Sequence, residues 1–200
     1  IGAKWGIPFP LSFPACRVPK VAVPDGWTLE ETIARTRQRK VFYHATDHNG
    51  GAPGIPRRQI VNYLREHLPP AMLDVALYPG QAKGTRPSPE EYYAGMMQAT
   101  VGLSWNGAIN FDCNRFWENF AYGLCCVAET PRIEIPNPFV SGEHCFYINT
   151  PEGVAGRAVG LMRAPELATS VAEAGHQHWL KYHSSEARAR YLVERAGGAL

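Results

Sequence analysis

The sequence is short of most features that would place a protein quickly. Among its 200 residues are five cysteines, Cys16, Cys113, Cys125, Cys126 and Cys145. Their number is odd and no C-x-x-C spacing occurs, so neither a disulfide framework nor a zinc ribbon is expected. The same usage suits a reducing, cytoplasmic setting. Charge is sparse and balanced, with 20 Lys and Arg against 18 Asp and Glu, for a net +2. The cations are dispersed apart from those between Arg35 and Lys40, so the basic stripe of a nucleic-acid surface is missing. No apolar run reaches the ~18 residues that a membrane span requires. The start carries no charged, apolar and small-residue succession of a secretory leader. Internal repeats and low-complexity runs are absent. His44 and His48 stand four apart, but Ala45-Thr46-Asp47 between them reads as a strand end, so no metal pair is expected. His176 and His178 are expected on a solvated helix face. Neither a metal nor a cofactor is predicted.

What is present is an apolar content of 45%, enough for one domain with a real core. Residues 1–39 form a proline- and aromatic-rich segment, expected to be irregular, followed by a linking helix opened by the capping box of Thr28 and Glu31. From residue 40 to 200 strands and helices alternate. The predicted strands are Val41 to Thr46, Met72 to Tyr78, Thr100 to Trp105, Leu124 to Ala128 and a short one at Cys145 to Ile148. Helices are predicted from Ile55 to His67, Pro89 to Gln98, Arg115 to Tyr122, Pro151 to Met162, Pro165 to Tyr182 and Ser184 to Ala196. Ser88 is the expected N-cap of the second. Such alternation predicts an α/β, Rossmann-like fold: a mostly parallel sheet with helices on both faces. In these sheets ligands lie beyond the carboxyl ends of the strands.

The most informative stretch is RFWENFAYGLCC, Arg115 to Cys126. On a helix, Arg115, Glu118, Asn119 and Tyr122 share one face, while Phe116, Trp117, Phe120, Ala121 and Leu124 cover the other. Gly123 is the expected C-terminal cap, and Asp112 or Asn114 the N-cap. The plain alternative is a surface helix with an internal Arg–Glu pair. Before it, strand Thr100 to Trp105 runs into Asn106 and Gly107, so a glycine-bearing loop meets a helix N-terminus. That junction suits an anion. A ligand with both phosphate and diol would set its phosphates at the loop and Arg115 and its diol on Glu118.

Several blocks in order carry a family resemblance. SPEEYYAGMMQATVGLSWNG, NRFWENFAYGLCCVAE and the run from GEHCFYINTPEGV to RYLVE resemble the C-terminal half of a GT-B glycosyltransferase. The likeness is to the group-1 branch that includes spore-maturation-like enzymes. Its donor-site helix reads R-F-x-E-x-x-A-x-G; exostosin-like transferases share R-x-x-E-x-x-x-x-G and compete for the likeness. The resemblance implies one half of a GT-B fold that binds a nucleotide-diphosphate sugar and transfers the sugar to an acceptor. It implies that Glu118 holds the ribose hydroxyls, that Ser104, Trp105, Asn106 and Gly107 lie near the diphosphate, and that Arg115 meets it. Asn119 shares their helix. Trp105 reads equally as a stacking surface or as core. His44, His48 and Arg57, near the first loop, are within reach of donor or acceptor, although ordinary loop residues are common there. Many relatives have a glutamate where Asn110 stands, so contact with the donor sugar departs from the pattern. No Asp-x-Asp occurs, which favours a metal-free site, and no catalytic base is identified. The chain begins with Ile1 and has room for one such domain, so an N-terminal acceptor domain is expected to be missing. A non-catalytic Rossmann-like nucleotide-binding or scaffolding module is the rival reading.

Overall fold

The computed structural model describes residues 38–47, 56–79, 86–105, 113–132 and 134–197. The proline-rich opening, the Thr28 and Glu31 capping box, and His48, Asn106, Gly107, Asn110 and Asp112 all lie outside the described residues. The strands are β1 (Gln38–Asp47), β2 (Leu73–Pro79), β3 (Ala99–Ser104), β4 (Cys125–Ala128) and β5 (Phe146–Tyr147). The helices are α1 (Arg57–His67), α2 (Pro89–Gln98), α3 (Asn114–Ala121), α4 (Pro151–Arg163), α5 (Pro165–Tyr182) and α6 (Ser185–Arg195). Among the described residues the predicted strands and α-helices agree with the observed ones in type and order, and a short 3-10 helix at Pro70–Met72 was not predicted. β1 starts at Gln38, ahead of the expected boundary at residue 40, and β5 is trimmed to two residues.

The five strands form one parallel sheet in the order β2-β1-β3-β4-β5. Parallel neighbours need crossovers, which the helices supply. Both faces of the sheet are covered, and side-chain alternation along each strand divides the core in two. Val41, Tyr43 and Ala45 of β1, with Cys125 and Val127 of β4, pack with Ile60, Val61 and Leu64 of α1 and Val154, Ala158 and Leu161 of α4. Phe42, Cys126 and Ala128 face the other way, toward Met96, Phe116, Trp117, Phe120 and Trp179. The chain leaves β1 for β2 on one side and returns to β3 on the other. Where that reversal occurs, the connections diverge and open a crevice at the strand ends.

Local chemistry explains the helix ends around that crevice. Ser88 closes a capping box on α2: its Oγ accepts from the Glu91 amide at 3.2 Å, and the Glu91 carboxylate accepts from the Ser88 amide at 2.8 Å. α3 ends in a Schellman motif. Leu124 N donates to Asn119 O at 2.8 Å and Gly123 N to Phe120 O at 3.0 Å. Gly123 takes φ 62, the left-handed conformation that this ending demands. The N-cap of α3 is Cys113, in place of the expected Asp112 or Asn114, and it makes no side-chain cap bond. Its sulfur instead meets Ser104 Oγ at 3.2 Å.

Candidate functional site

At the carboxyl ends of β1 and β2, between α2 and α3, lies a cavity of about 280 Å³. Strand β1 contributes His44, Ala45 and Thr46, and β2 contributes Tyr78. Helix α2 and the residues before it bring Arg86, Tyr92 and Tyr93, and α3 brings Asn114, Arg115 and Glu118. A second groove of about 650 Å³, lined by His178 and Lys181 of α5 and by His144 before β5 among others, is built from other parts of the chain. We take the smaller cavity as the candidate site because it sits where a doubly wound sheet opens to ligands.

Two hydrogen-bonded groups form its walls. The Tyr92 hydroxyl donates to Glu118 Oε2 at 2.8 Å. The Glu118 side chain is buried, so this bond holds its carboxylate in one orientation. The second group spans the sheet: His44 Nε2 meets Asp74 Oδ1 at 2.7 Å, and the Tyr78 hydroxyl meets His44 Nδ1 at 2.7 Å. Phe42 lies stacked on the His44 ring with centroids 4.7 Å apart, so β1 itself supplies the rigid backing. Arg115 reaches over the strand ends, its guanidinium carbon 5.8 Å from the centroid of the Tyr43 ring.

Charge in the cavity follows from this packing. The hydrogen bond from His44 holds the Asp74 carboxyl below its ordinary range. Burial pushes the Tyr43 phenol up to about 12, against the pull of Arg115 and Arg57. Burial, and then the Glu118 carboxylate, push Tyr92 far above the usual phenol range, so it stays a donor to Glu118. For Arg115 burial works against the charge, but Cys113, Tyr43, Tyr92 and Glu118 together hold its pKa above the ordinary value. The site therefore presents one fixed cation and one fixed carboxylate on adjacent turns of α3. A phosphate can be met by the first and a hydroxyl pair by the second.

A family model described as glycosyl transferase-like matches residues 57–194. The chain belongs to the glycosyl transferase-like family. No curated protein matches it. Among solved structures it is similar to the C-terminal domain of a glycosyl transferase group 1 family protein (LpcC) from Francisella tularensis. The identity is 8%, 78% of this chain and 92% of that one are covered, and the TM-score is 0.55. TarM is a further neighbour at 12% identity and TM-score 0.46, with 83% of this chain and 30% of TarM covered. The first likeness shows that this glycosyl transferase-like domain shares the α/β fold of that C-terminal domain, a parallel sheet covered by helices on both faces.

Within the glycosyl transferase-like domain the predicted residues separate. Glu118 and Arg115 line the cavity together. Asn119 does not: it is buried against β3, its amide donating to Cys126 Sγ at 3.6 Å. Gly102 makes that contact possible, since a Cβ there would stand 2.2 Å from Asn119 Oδ1. Tyr122, expected beside them, is buried and stacked on Tyr93 at 5.2 Å. Trp105 is core, 1% exposed and packed in the α1 and α4 layer. Ser104 is buried beside Cys113. Arg57 donates to the Thr46 carbonyl at 2.8 Å and so ties α1 to the end of β1. His48, Asn106 and Gly107 belong to segments outside the described residues. His176, expected on a solvated face, donates through Nδ1 to Phe120 O at 2.7 Å and joins α5 to α3. Sequence reasoning missed Asp74, Tyr78, Arg86 and Tyr92. For His44 one signal was available, because alternation sets it on the same face as buried Phe42. No helix among the described residues is long and apolar enough to cross a membrane.

Proposed function

We propose that this domain is the donor half of a glycosyltransferase, which binds a nucleotide-diphosphate sugar for transfer to an acceptor held by a separate N-terminal domain. The observation that carries the reading is the pairing of Arg115 and Glu118 in one cavity at the strand ends. Glu118, oriented by Tyr92, accepts from the ribose hydroxyls. Arg115 meets the diphosphate, and the positive end of α3 adds to its field. Because both are held by the fold before a ligand arrives, they stabilise the charge that gathers on the leaving diphosphate as the glycosidic bond breaks. Loop residues Asn106 and Gly107 are proposed to lie near the same phosphates, with His48 close to donor or acceptor. The lack of an Asp-x-Asp motif supports a diphosphate site that needs no divalent ion. Four of the cysteines, Cys113, Cys125, Cys126 and Cys145, carry free thiols, which suits the reducing cytoplasm.

Calorimetry with nucleoside diphosphates, with and without EDTA, tests the binding claim. Binding retained under chelation is expected, and affinity that vanishes on chelation overturns the metal-free assignment. The 200-residue chain is expected to show no sugar transfer by itself. Turnover by this chain alone would refute the division of labour between two domains.

A further inference from the structure

The hydrogen-bond groups in the cavity wall have a direction. Asp74 is a carboxylate, which only accepts, so His44 Nε2 carries the proton of their 2.7 Å bond. In a neutral imidazole the other nitrogen is then bare. With the ring neutral, His44 Nδ1 accepts and the Tyr78 hydroxyl donates to it across 2.7 Å. The Tyr92 hydroxyl is likewise committed, since the Glu118 carboxylate can only accept its proton. Both tyrosine rings flank His44, with centroids 5.8 and 6.1 Å from it, and both line the cavity. A phenol has one proton and two lone pairs. With the proton spent inside the wall, each oxygen turns only lone pairs toward a ligand.

We propose that Tyr78 and Tyr92 make the cavity selective for an amino-bearing nucleobase, with Asp74 acting at a distance by fixing the tautomer of His44. This inference rests on the nucleotide reading above. An exocyclic amine donates where the corresponding carbonyl accepts: cytosine carries the amine and uracil the carbonyl at the same ring position. Adenine and hypoxanthine form a second such pair. A carbonyl placed against a lone-pair-only wall leaves two acceptors facing each other without a proton between them. Sites built around a hydrogen bond reject the partner that lacks it far more strongly than apolar pockets reject a missing methylene.

Calorimetry on the full chain with the matched pairs CDP and UDP, and ADP and IDP, reads this directly. The amine-bearing member is expected to bind at least about tenfold tighter in one or both pairs, the scale of one hydrogen bond between partners of this kind. Asp74 lies outside the cavity lining, so Asp74→Asn leaves every lining side chain in place while releasing the tautomer. The preference ratio is then expected to fall toward one, a change that a merely structural role for Asp74 would not produce. Where Asp74→Asn loses its far-ultraviolet signal, Tyr78→Phe serves in its stead: it is expected to weaken the amine-bearing diphosphate and leave its carbonyl twin unchanged. Equal affinities within both pairs, a preference for the carbonyl members, or an unaltered ratio in a folded variant each overturn the inference. Those results leave the nucleotide reading standing. Failure of all four diphosphates to bind removes that reading and this one together.

Discussion

Glu118 holds the Tyr92 hydroxyl as well as lining the cavity, and this changes what its removal does. It is buried, and its Oε2 takes the only proton of Tyr92. Glu118→Ala is therefore expected to weaken nucleotide binding about tenfold to a hundredfold, the worth of a charged hydrogen bond. It is also expected to cost about 1–3 kcal/mol of stability, because the Tyr92 hydroxyl is left buried without an acceptor. Titration and urea unfolding of the same variant separate the two effects, and an undiminished affinity would remove Glu118 from the site. Arg115→Ala is expected to weaken nucleoside diphosphates far more than the free nucleoside, since its proposed partner is the phosphate. Equal losses for both ligands would contradict that role. At this scale the sequence was only half legible. Periodicity put Arg115 and Glu118 on one face, but His44, Asp74, Tyr78 and Tyr92 meet through bonds spanning 30, 34 and 26 residues. No local pattern encodes such pairings.

α3 was expected to divide into a ligand face and a core face, and it has almost no face left for solvent. Five consecutive residues from Phe116 to Phe120 are buried, because β3, β4 and α5 all press on the helix. That enclosure is why Asn119 and Tyr122, polar and on the expected side, ended in contacts with Cys126 and Tyr93. Amphipathic periodicity assumes one wet side, and a helix wedged between a sheet and two other helices breaks the assumption. Phe120 is fully buried and stacks on Phe139 at 3.9 Å. Phe120→Ala is expected to cost about 3–5 kcal/mol, read as a lowered midpoint of chemical unfolding. Gly123→Ala places a Cβ at φ 62 and is expected to cost about 1–2 kcal/mol. A neutral Gly123→Ala would show that the helix ending tolerates another conformation.

For the molecule as a whole, the reading from strand and helix rhythm succeeded because the elements carry their own period, and three of the described helices carry a side-chain N-cap, at Ser88, Thr150 and Ser184. The apolar run of β4 and the N-cap at Ser88 are local facts, so they survive without tertiary knowledge. Acid sensitivity, by contrast, comes from a tertiary cluster that the sequence hides. His183 is buried, donates through Nε2 to the Asn137 carbonyl at 2.8 Å, and turns Nδ1 toward the Arg188 guanidinium. Burial, and then Arg188, pull its pKa down to about 3. His144, beside His178 and Glu143, is lowered too, mainly by burial. In the unfolded chain a histidine takes its proton near pH 6.5. Between about pH 6.5 and 3 the unfolded state thus binds more protons. Stability is full above that window and falls as the pH drops through it, by at most about 1.4 kcal/mol per pH unit from His183 alone. Urea midpoints measured from pH 8 to 5 are expected to decline below pH 6.5 and to decline less in His183→Asn. An identical slope in that variant would assign the acid loss to other groups.

The place of β1 between β2 and β3 also governs how the chain reaches this state. Val41 pairs with Leu73 on one side and Val101 on the other, and no pairing in the sheet is antiparallel. Among the described residues no hairpin is available to start the sheet, so each of these strand contacts waits for a long loop to close. Assembly is slow under such topology. On the ribosome, β1 emerges before the other described strands, with both edges bare and with Val41, Phe42 and Tyr43 destined for burial on opposite faces. β2 can cover one edge first, and the other stays bare until β3 has been synthesised some sixty residues later. During that interval the bare edge is open to other chains, which makes early shelter by a chaperone, or low local concentration, a condition of high yield.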